Sequence, residues 1–459
     1  MRIYTIYSYR NTARSKIILL LCIFALLLTG CHLDMNPSES PGQSTTGNDK
    51  SDIQIISKKV FNSLLIDKNM DSVVNEIPYT IDMKSMISVD ICEEYLESVE
   101  VRFGPTKSIT FSQQFLNGEY TVIEYLCDGE IQEFYAYISF DKDQSVAGIN
   151  FNPPVDETFL EKGTRLVFTT SAGDLPGILE TPASRQDKQP LVILIPGSGL
   201  IDINGSVGEA KPYRDLSNKL VEKGISVCRY YKRSYYYTQK MDAQKDTVEE
   251  EYIEDMNHVI NFFVHHSEYA YDSIILLGHS QGGYLLPGYY NLLPDSTKKY
   301  VKGLILMGAP FSPLEDILLE QILHMAEEDG FIDTEEQKQV DSTQQEVQKI
   351  KNLNQDFDSA PNMLLGLNKY YWVSLTRYDP KLHIHQIHCP CLVMFGNEDL
   401  NVPLSEAALW RENSSEKMTI QTFSELNHIF SKSLEGSNVQ VSDQVVDTID
   451  EWIHTVIVD

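Results

Sequence analysis

The sequence predicts an α/β protein built on a mainly parallel, eight-stranded sheet flanked by helices, preceded by a small α+β domain. Three observations carry that expectation. Beyond Pro153-Pro154, short apolar runs alternate with amphipathic segments, the pattern of repeated βαβ units. Before that break, a helix-like stretch gives way to alternating, strand-like ones. The chain has 459 residues, more than one core usually organises, so two folded units are expected.

Composition narrows the partners. Apolar residues make up 42% and charged ones 22%, which is ordinary for a globular chain. The formal net charge is -29, and because residues 1–30 hold four cations and no acid, the remainder carries -33. Nucleic acid is therefore excluded as a partner: a phosphate backbone needs a basic footprint, and only short runs such as Lys58-Lys59 and Lys298-Lys299 are present.

The N-terminus reads as an export signal over residues 1–30, with a basic stretch ending at Lys16 and twelve apolar residues at 17–28. Twelve is too few to span a bilayer, which takes roughly 20. Leu28-Thr29-Gly30-Cys31 resembles the lipobox of bacterial lipoproteins, which implies lipidation of Cys31 and an extracytoplasmic, membrane-anchored protein. Each buried CH₂ of an acyl chain contributes about 0.8 kcal/mol to such an anchor. Residues 31–51, rich in Ser, Gly, Pro, Thr and Asn, read as a flexible tether.

Residues 52–152 form the predicted small domain, helical around 60–74 and strand-like at 97–103, 120–127 and 132–140. Its layout resembles the cone-shaped domain related to nuclear transport factor 2 that precedes hydrolases in some bacterial lipoproteins. With no His/Asp pair, metal cluster or phosphate loop there, a binding or spacing role is expected. Cys92 and Cys127 leave a pairing open, whereas Cys389 and Cys391 flank a proline at the start of a strand and read as buried.

In residues 160–459 the expected strands are 166–170, 178–181, 191–195, 225–231, 274–277, 304–307, 392–395 and 418–423. Helix-like segments lie at 213–223, 252–266 and 441–456. The interval 311–388 is too long for one crossover, so it is read as a helical cap inserted over the site.

The strongest local signal is Gly278-His279-Ser280-Gln281-Gly282-Gly283, placed between a strand and a helix. This is G-x-S-x-G in the strand-turn-helix context of a nucleophilic serine, with glycines where a Cβ would clash. A serine hydroxyl needs a base to take its proton and an acid to orient that base. Asp399, after the seventh strand, and His428, after the eighth, supply them; Glu398 and His454 are the rivals. His383, His385 and His388 lack a companion carboxylate pattern, so no metal site is expected. Backbone N–H groups for a developing oxyanion are assigned to Gln281 and, in Pro196-Gly197-Ser198-Gly199, to Ser198.

Residues 160–459 resemble the bacterial α/β-hydrolases grouped with acyl and cinnamoyl esterases and dipeptidyl-peptidase-like serine hydrolases. The match rests on Pro196 to Gly199 with Asp202 and Gly205, on the Ser280 elbow, and on the segment running from Gly396 through Asp399 to Val402-Pro403. Where that family has Tyr-Asp-Lys-Arg-Gly, this chain reads Tyr230-Tyr231-Lys232-Arg233-Ser234, followed by three tyrosines that could line a pocket or pack. The resemblance implies an α/β-hydrolase fold and a cofactor-free serine hydrolase acting through an acyl-enzyme on a small-molecule or glycan-linked acyl ester. A peptidase or amidase, and a non-catalytic surface-binding lipoprotein with this fold, are the alternatives.

Overall fold

The computed structural model describes residues 49–459 apart from 118–119, 155–162, 184–189, 208–209, 267, 270, 272, 328–329, 434–438 and 459. The expected signal, Cys31 and the tether up to 48 lie outside the described residues. The chain divides into two compact units, one running up to Pro154 and including Leu319–Gln348, the other Val155–Leu318 with Lys349–Asp459.

The first unit begins with the helix Asp49–Phe61, which runs into a wider π-turn at Asn62–Ile66. The helix Met70–Asn75 starts where the Asn69 side chain accepts the Ser72 N–H at 3.1 Å. Residues 97–103, expected as a strand, belong to the helix Val89–Phe103. Seven alternating residues fit both periods, and the longer run decides: Cys92, Leu96, Val99 and Phe103 are buried at helical spacing, and Ser88 caps the start. Four strands follow as an antiparallel meander: β1 (Thr106–Asn117), β2 (Tyr120–Gly129), β3 (Glu133–Phe140) and β4 (Val146–Asn152). β1 was not expected because it is polar and largely exposed. The core of this unit is aromatic, with Phe103 stacked on Phe134 at 4.4 Å. Cys92 and Cys127 are buried free thiols, pushed up to about 11 and about 12 by burial.

All eight strands expected in the second unit form: β5 (Thr164–Thr170), β6 (Gly173–Glu180), β7 (Leu191–Ile195), β8 (Ser226–Tyr230), β9 (Ile274–His279), β10 (Val301–Met307), β11 (Cys391–Gly396) and β12 (Met418–Phe423). They lie in the order β12-β11-β10-β9-β7-β8-β6-β5, parallel except where β6 meets β5 and β8. β7, β9 and β11 are buried along their whole length, as the continuous apolar runs of a doubly covered sheet require. The helices Pro212–Glu222 and Asp443–Val458 pack their apolar stripes onto one face through Leu216, Leu220, Val445 and Ile449. This is an α/β-hydrolase sheet.

The 311–388 insertion is divided between the units. Leu319–Gln348 groups with the first, where Ile322, Met325, Ala326 and Val340 form a small core. The helix Thr334–Lys351 begins with a reciprocal cap between Asp333 and Glu336. The remainder stays with the sheet and carries a short hairpin, Met363–Leu364 with Leu367–Asn368, and the helix Lys369–Thr376.

Candidate active site

β9 ends at His279 and a helix starts at Gln281, so Ser280 alone makes the turn. Its backbone sits at φ 53°, ψ −122°, a left-handed region that costs a residue with a Cβ about 1–3 kcal/mol. The Ser280 N–H bonds the Met307 carbonyl at the end of β10, at 2.8 Å. The flanking glycines are needed for space. A Cβ on Gly278 would stand 2.5 Å from the Gly282 backbone, and one on Gly282 would stand 2.4 Å from the Pro196 carbonyl.

The acid and the imidazole converge on the same strand ends. His428 Nδ1 lies 2.7 Å from Asp399 Oδ2, and the Asp399 side chain is wholly excluded from solvent. Asp399 Oδ1 accepts the N–H groups of Asn401 and Val402, both at 2.8 Å, which fixes the carboxylate. Because a carboxylate only accepts, Nδ1 carries the hydrogen and Nε2 is the basic nitrogen. Gly308, the residue after Met307, packs so closely that a Cβ there would be 3.1 Å from the His428 ring and 3.4 Å from Asp399 Oδ2. Ser280, Asp399 and His428 are thus gathered around the end of β10. The rivals are elsewhere: Glu398 is exposed, and His454 is exposed and paired with Asp450 on the terminal helix.

His428 is held by its own loop. Asn427 accepts the N–H groups of Ile429 and Ser431 through its side chain, each at 3.1 Å. His279, which no sequence feature marks as functional, supports the same loop. Its Nε2 faces the His428 carbonyl at 2.9 Å and its Nδ1 faces the Tyr213 hydroxyl at 3.0 Å, while Tyr213 accepts the Gly197 N–H at 3.0 Å. The directions are consistent. A carbonyl must receive a hydrogen, so His279 is protonated on Nε2 and accepts from Tyr213 on Nδ1. Burial, reinforced by His428, pulls the His279 imidazole down to about 3, so it stays neutral. A polar residue closing an apolar strand just before the serine was the available signal; nothing local pointed to Tyr213.

Gln281 follows Ser280 in the chain, and Ser198 follows Gly197, whose backbone closely approaches Ser280. Gln281 opens the helix Gln281–Leu292, whose first N–H groups are unsatisfied within the helix. A Cβ on Gly197, the neighbour of Ser198, would stand 3.1 Å from Ser280 Cβ. Asp202 shapes the loop that follows by accepting the N–H groups of Asn204 and Ser206. The tyrosines after β8 pack: Tyr231 stacks on Tyr235, and Tyr237 donates to the Asp174 carbonyl at 2.7 Å. Glu406, also unanticipated, accepts the N–H groups of Phe311 and Ser312 at 2.6 and 2.8 Å and so anchors the start of the insertion.

Residues 200–432, half of the chain, match the family described as serine aminopeptidase, S33, and the chain belongs to that family of hydrolases. It is similar to Esterase EstD of Thermotoga maritima, with 25% identity over 85% of this chain and 92% of that one. Among solved structures, Est1E from Butyrivibrio proteoclasticus is 16% identical, covers 64% of this chain and 99% of its own, and has a TM-score of 0.43. Proline iminopeptidase of Mycobacterium smegmatis is 13% identical, with coverages of 64% and 99% and a TM-score of 0.43.

Proposed function

We propose that this hydrolase cleaves carboxylic esters through an acyl-enzyme, with Ser280 as nucleophile, His428 as general base and Asp399 as the group that orients it. The observation that carries the reading is the 2.7 Å contact between His428 and a fully dry Asp399, beside a serine held at positive φ on a strand-to-helix elbow. As Ser280 Oγ attacks the carbonyl carbon, its proton passes to His428 Nε2 and the carbonyl π pair moves onto oxygen. The N–H groups of Gln281 and Ser198 stabilise that oxyanion. Collapse breaks the C–O bond, and the alcohol leaves with the proton from His428. A water then repeats the sequence on the acyl group and restores Ser280.

The esterase reading draws support from the similarity to an esterase over most of both chains. The family's name favours an aminopeptidase as the second reading, since one triad serves both bonds. Two assays on the mature protein separate them. A fluorophosphonate probe should label Ser280 and not Ser280→Ala, and p-nitrophenyl acyl esters should turn over faster than aminoacyl p-nitroanilides. Unlabelled wild-type protein would reject the triad, and faster anilide turnover would reject the esterase.

Cys31 holds the mature protein to a membrane surface outside the cytoplasm, and the first unit binds or spaces an acyl ester carried on a larger molecule. This anchoring rests on the short apolar run and Leu28-Thr29-Gly30-Cys31. Wild-type protein should enter the detergent phase on phase separation. Membrane retention of a cleaved Cys31→Ser protein would overturn the anchor.

A further inference from the structure

Lys232 is an ammonium with no place in the reaction above, yet it is 2% exposed and lies against the turn that carries Ser198. Its Nζ stands within hydrogen-bonding reach of four oxygens: the Gly197 carbonyl at 3.1 Å, the Gly199 carbonyl at 3.0 Å, the Tyr252 hydroxyl at 2.7 Å and Glu251 Oε1 at 2.8 Å. Tyr252 in turn donates to the Gly197 carbonyl at 2.5 Å. The ring closes through the residue that follows the nucleophile. Gln281 Nε2 donates to the Tyr371 hydroxyl at 2.8 Å, and Tyr371 donates to Glu251 Oε2 at 2.6 Å.

Burial draws the Lys232 ammonium below its ordinary range, and Glu251 opposes that. Burying such a pair carries a desolvation cost that good geometry only partly offsets, so its presence needs a reason beyond stability. Glu251 and Tyr252 are consecutive residues of a π-turn, Glu249–Ile253, and both reach Lys232 Nζ.

The reason lies in the peptide plane. A trans peptide points the carbonyl of one residue and the N–H of the next in opposite directions, and no cis bond is present among the described residues. Holding the Gly197 carbonyl toward Lys232 and Tyr252 therefore turns the Ser198 N–H to the other side. Among the described residues that N–H has no hydrogen-bond partner, which leaves it available to a ligand. We infer that Lys232, together with Tyr252 and Glu251, is a positioning group that aims the Ser198 N–H at the developing oxyanion. The ring ties that aim to Gln281 and to Tyr371 of the inserted segment. A point-like ammonium with three diverging donors suits two carbonyls and a hydroxyl converging on one spot. This inference rests on the assignment of Ser198 as an oxyanion donor.

The test compares the mature wild-type protein with Tyr252→Phe and with Lys232→Met/Glu251→Gln, the double variant leaving no unpaired buried charge. Thermal unfolding verifies folding, p-nitrophenyl acetate gives kcat and KM, and a phenylboronic acid reports affinity for a tetrahedral adduct. The double variant should lose about 10²-fold in kcat and in boronate affinity, the size of one oxyanion donor, with KM within about threefold. Tyr252→Phe should lose about 10-fold in the same two quantities, because Lys232 still holds the carbonyl. Structural loosening alone would lower the unfolding temperature without a matched fall in kcat and boronate affinity, and that result overturns the inference. So does a folded double variant whose kcat and boronate affinity stay within about threefold of wild type. If wild-type Ser280 takes no fluorophosphonate and turns over no ester, the triad reading fails and this inference with it. Labelled, active wild type beside unaffected variants removes this inference alone.

Discussion

The first unit closes on aromatic rings. Phe61, Phe103, Phe134 and Phe151 lie against one another, and among the described residues its buried charges are Glu124 and Glu336. The second unit buries Glu180, Asp215, Arg229, Lys232, Arg233, Asp255, His279, Asp399 and Glu406, each joined to named partners. Positive φ does not follow that division: Lys68 and Gln144 of the first unit and Ser280, Leu365, Glu425 and Phe430 of the second all adopt it outside helices and strands. Apolar packing makes a unit stable at little cost in desolvation, while buried charge and strain persist only where the surroundings over-determine them. Buried charge is thus concentrated in the second unit, the one that holds Ser280, Asp399 and His428.

The sharpest test of that contrast is the reactive trio. Ser280→Ala and His428→Ala should each lower ester turnover by about 10⁴-fold or more without lowering the unfolding temperature, and Asp399→Asn by about 10³- to 10⁴-fold. Steady-state rates at matched concentrations decide it. An Asp399→Asn protein of near-normal activity would break the assignment of the acid.

Next in size is the aromatic core. Phe134→Ala removes a fully buried ring stacked on Phe103, so the first unit should lose about 3–5 kcal/mol in urea titration. If chemistry is confined to the second unit, kcat on p-nitrophenyl acetate should stay within about threefold under native conditions. A parallel collapse of kcat would show that the division of labour is wrong.

A smaller effect comes from His279. Its folded-state value is depressed to about 3 while an unfolded histidine titrates near 6.5, so between those limits the unfolded chain binds the extra proton. Stability should therefore fall as pH drops from about 6.5 toward 3, by up to about 1.4 kcal/mol per pH unit from this residue. His279→Gln should flatten the acid side of the curve by about one proton, measured by urea midpoints across that range. An unchanged slope would mean that His279 is protonated in the folded protein. The smallest effect should be that of Glu398→Gln, whose exposed side chain leaves kcat within about threefold of wild type.

Much of the second unit was legible. Continuous apolar runs located all eight strands, and the glycines around Ser280 announced the elbow because only they tolerate its crowding. His428 was readable as a histidine just past the last strand. The choice between Asp399 and Glu398 was not a local matter: adjacent carboxylates on one turn differ only in which faces inward. The helix through 97–103 was misread because valines and phenylalanine alternating over seven residues satisfy two periods until Cys92 and Leu96 are included. β1 was invisible because Thr106–Asn117 has no buried face to leave a pattern.

The sequence by itself determined the order of strands in the second unit and the glycine-flanked turn at Ser280, since backbone preference and apolar periodicity act over a few neighbouring residues and are written where they act. Only the tertiary structure decided that Tyr213 and His279 brace the His428 loop and that Lys232, Glu251, Tyr252, Gln281 and Tyr371 close a ring behind Ser198. A buried polar group must find its hydrogen-bond partner wherever packing brings one, and those partners come from segments scattered along the chain, so no local pattern encodes them.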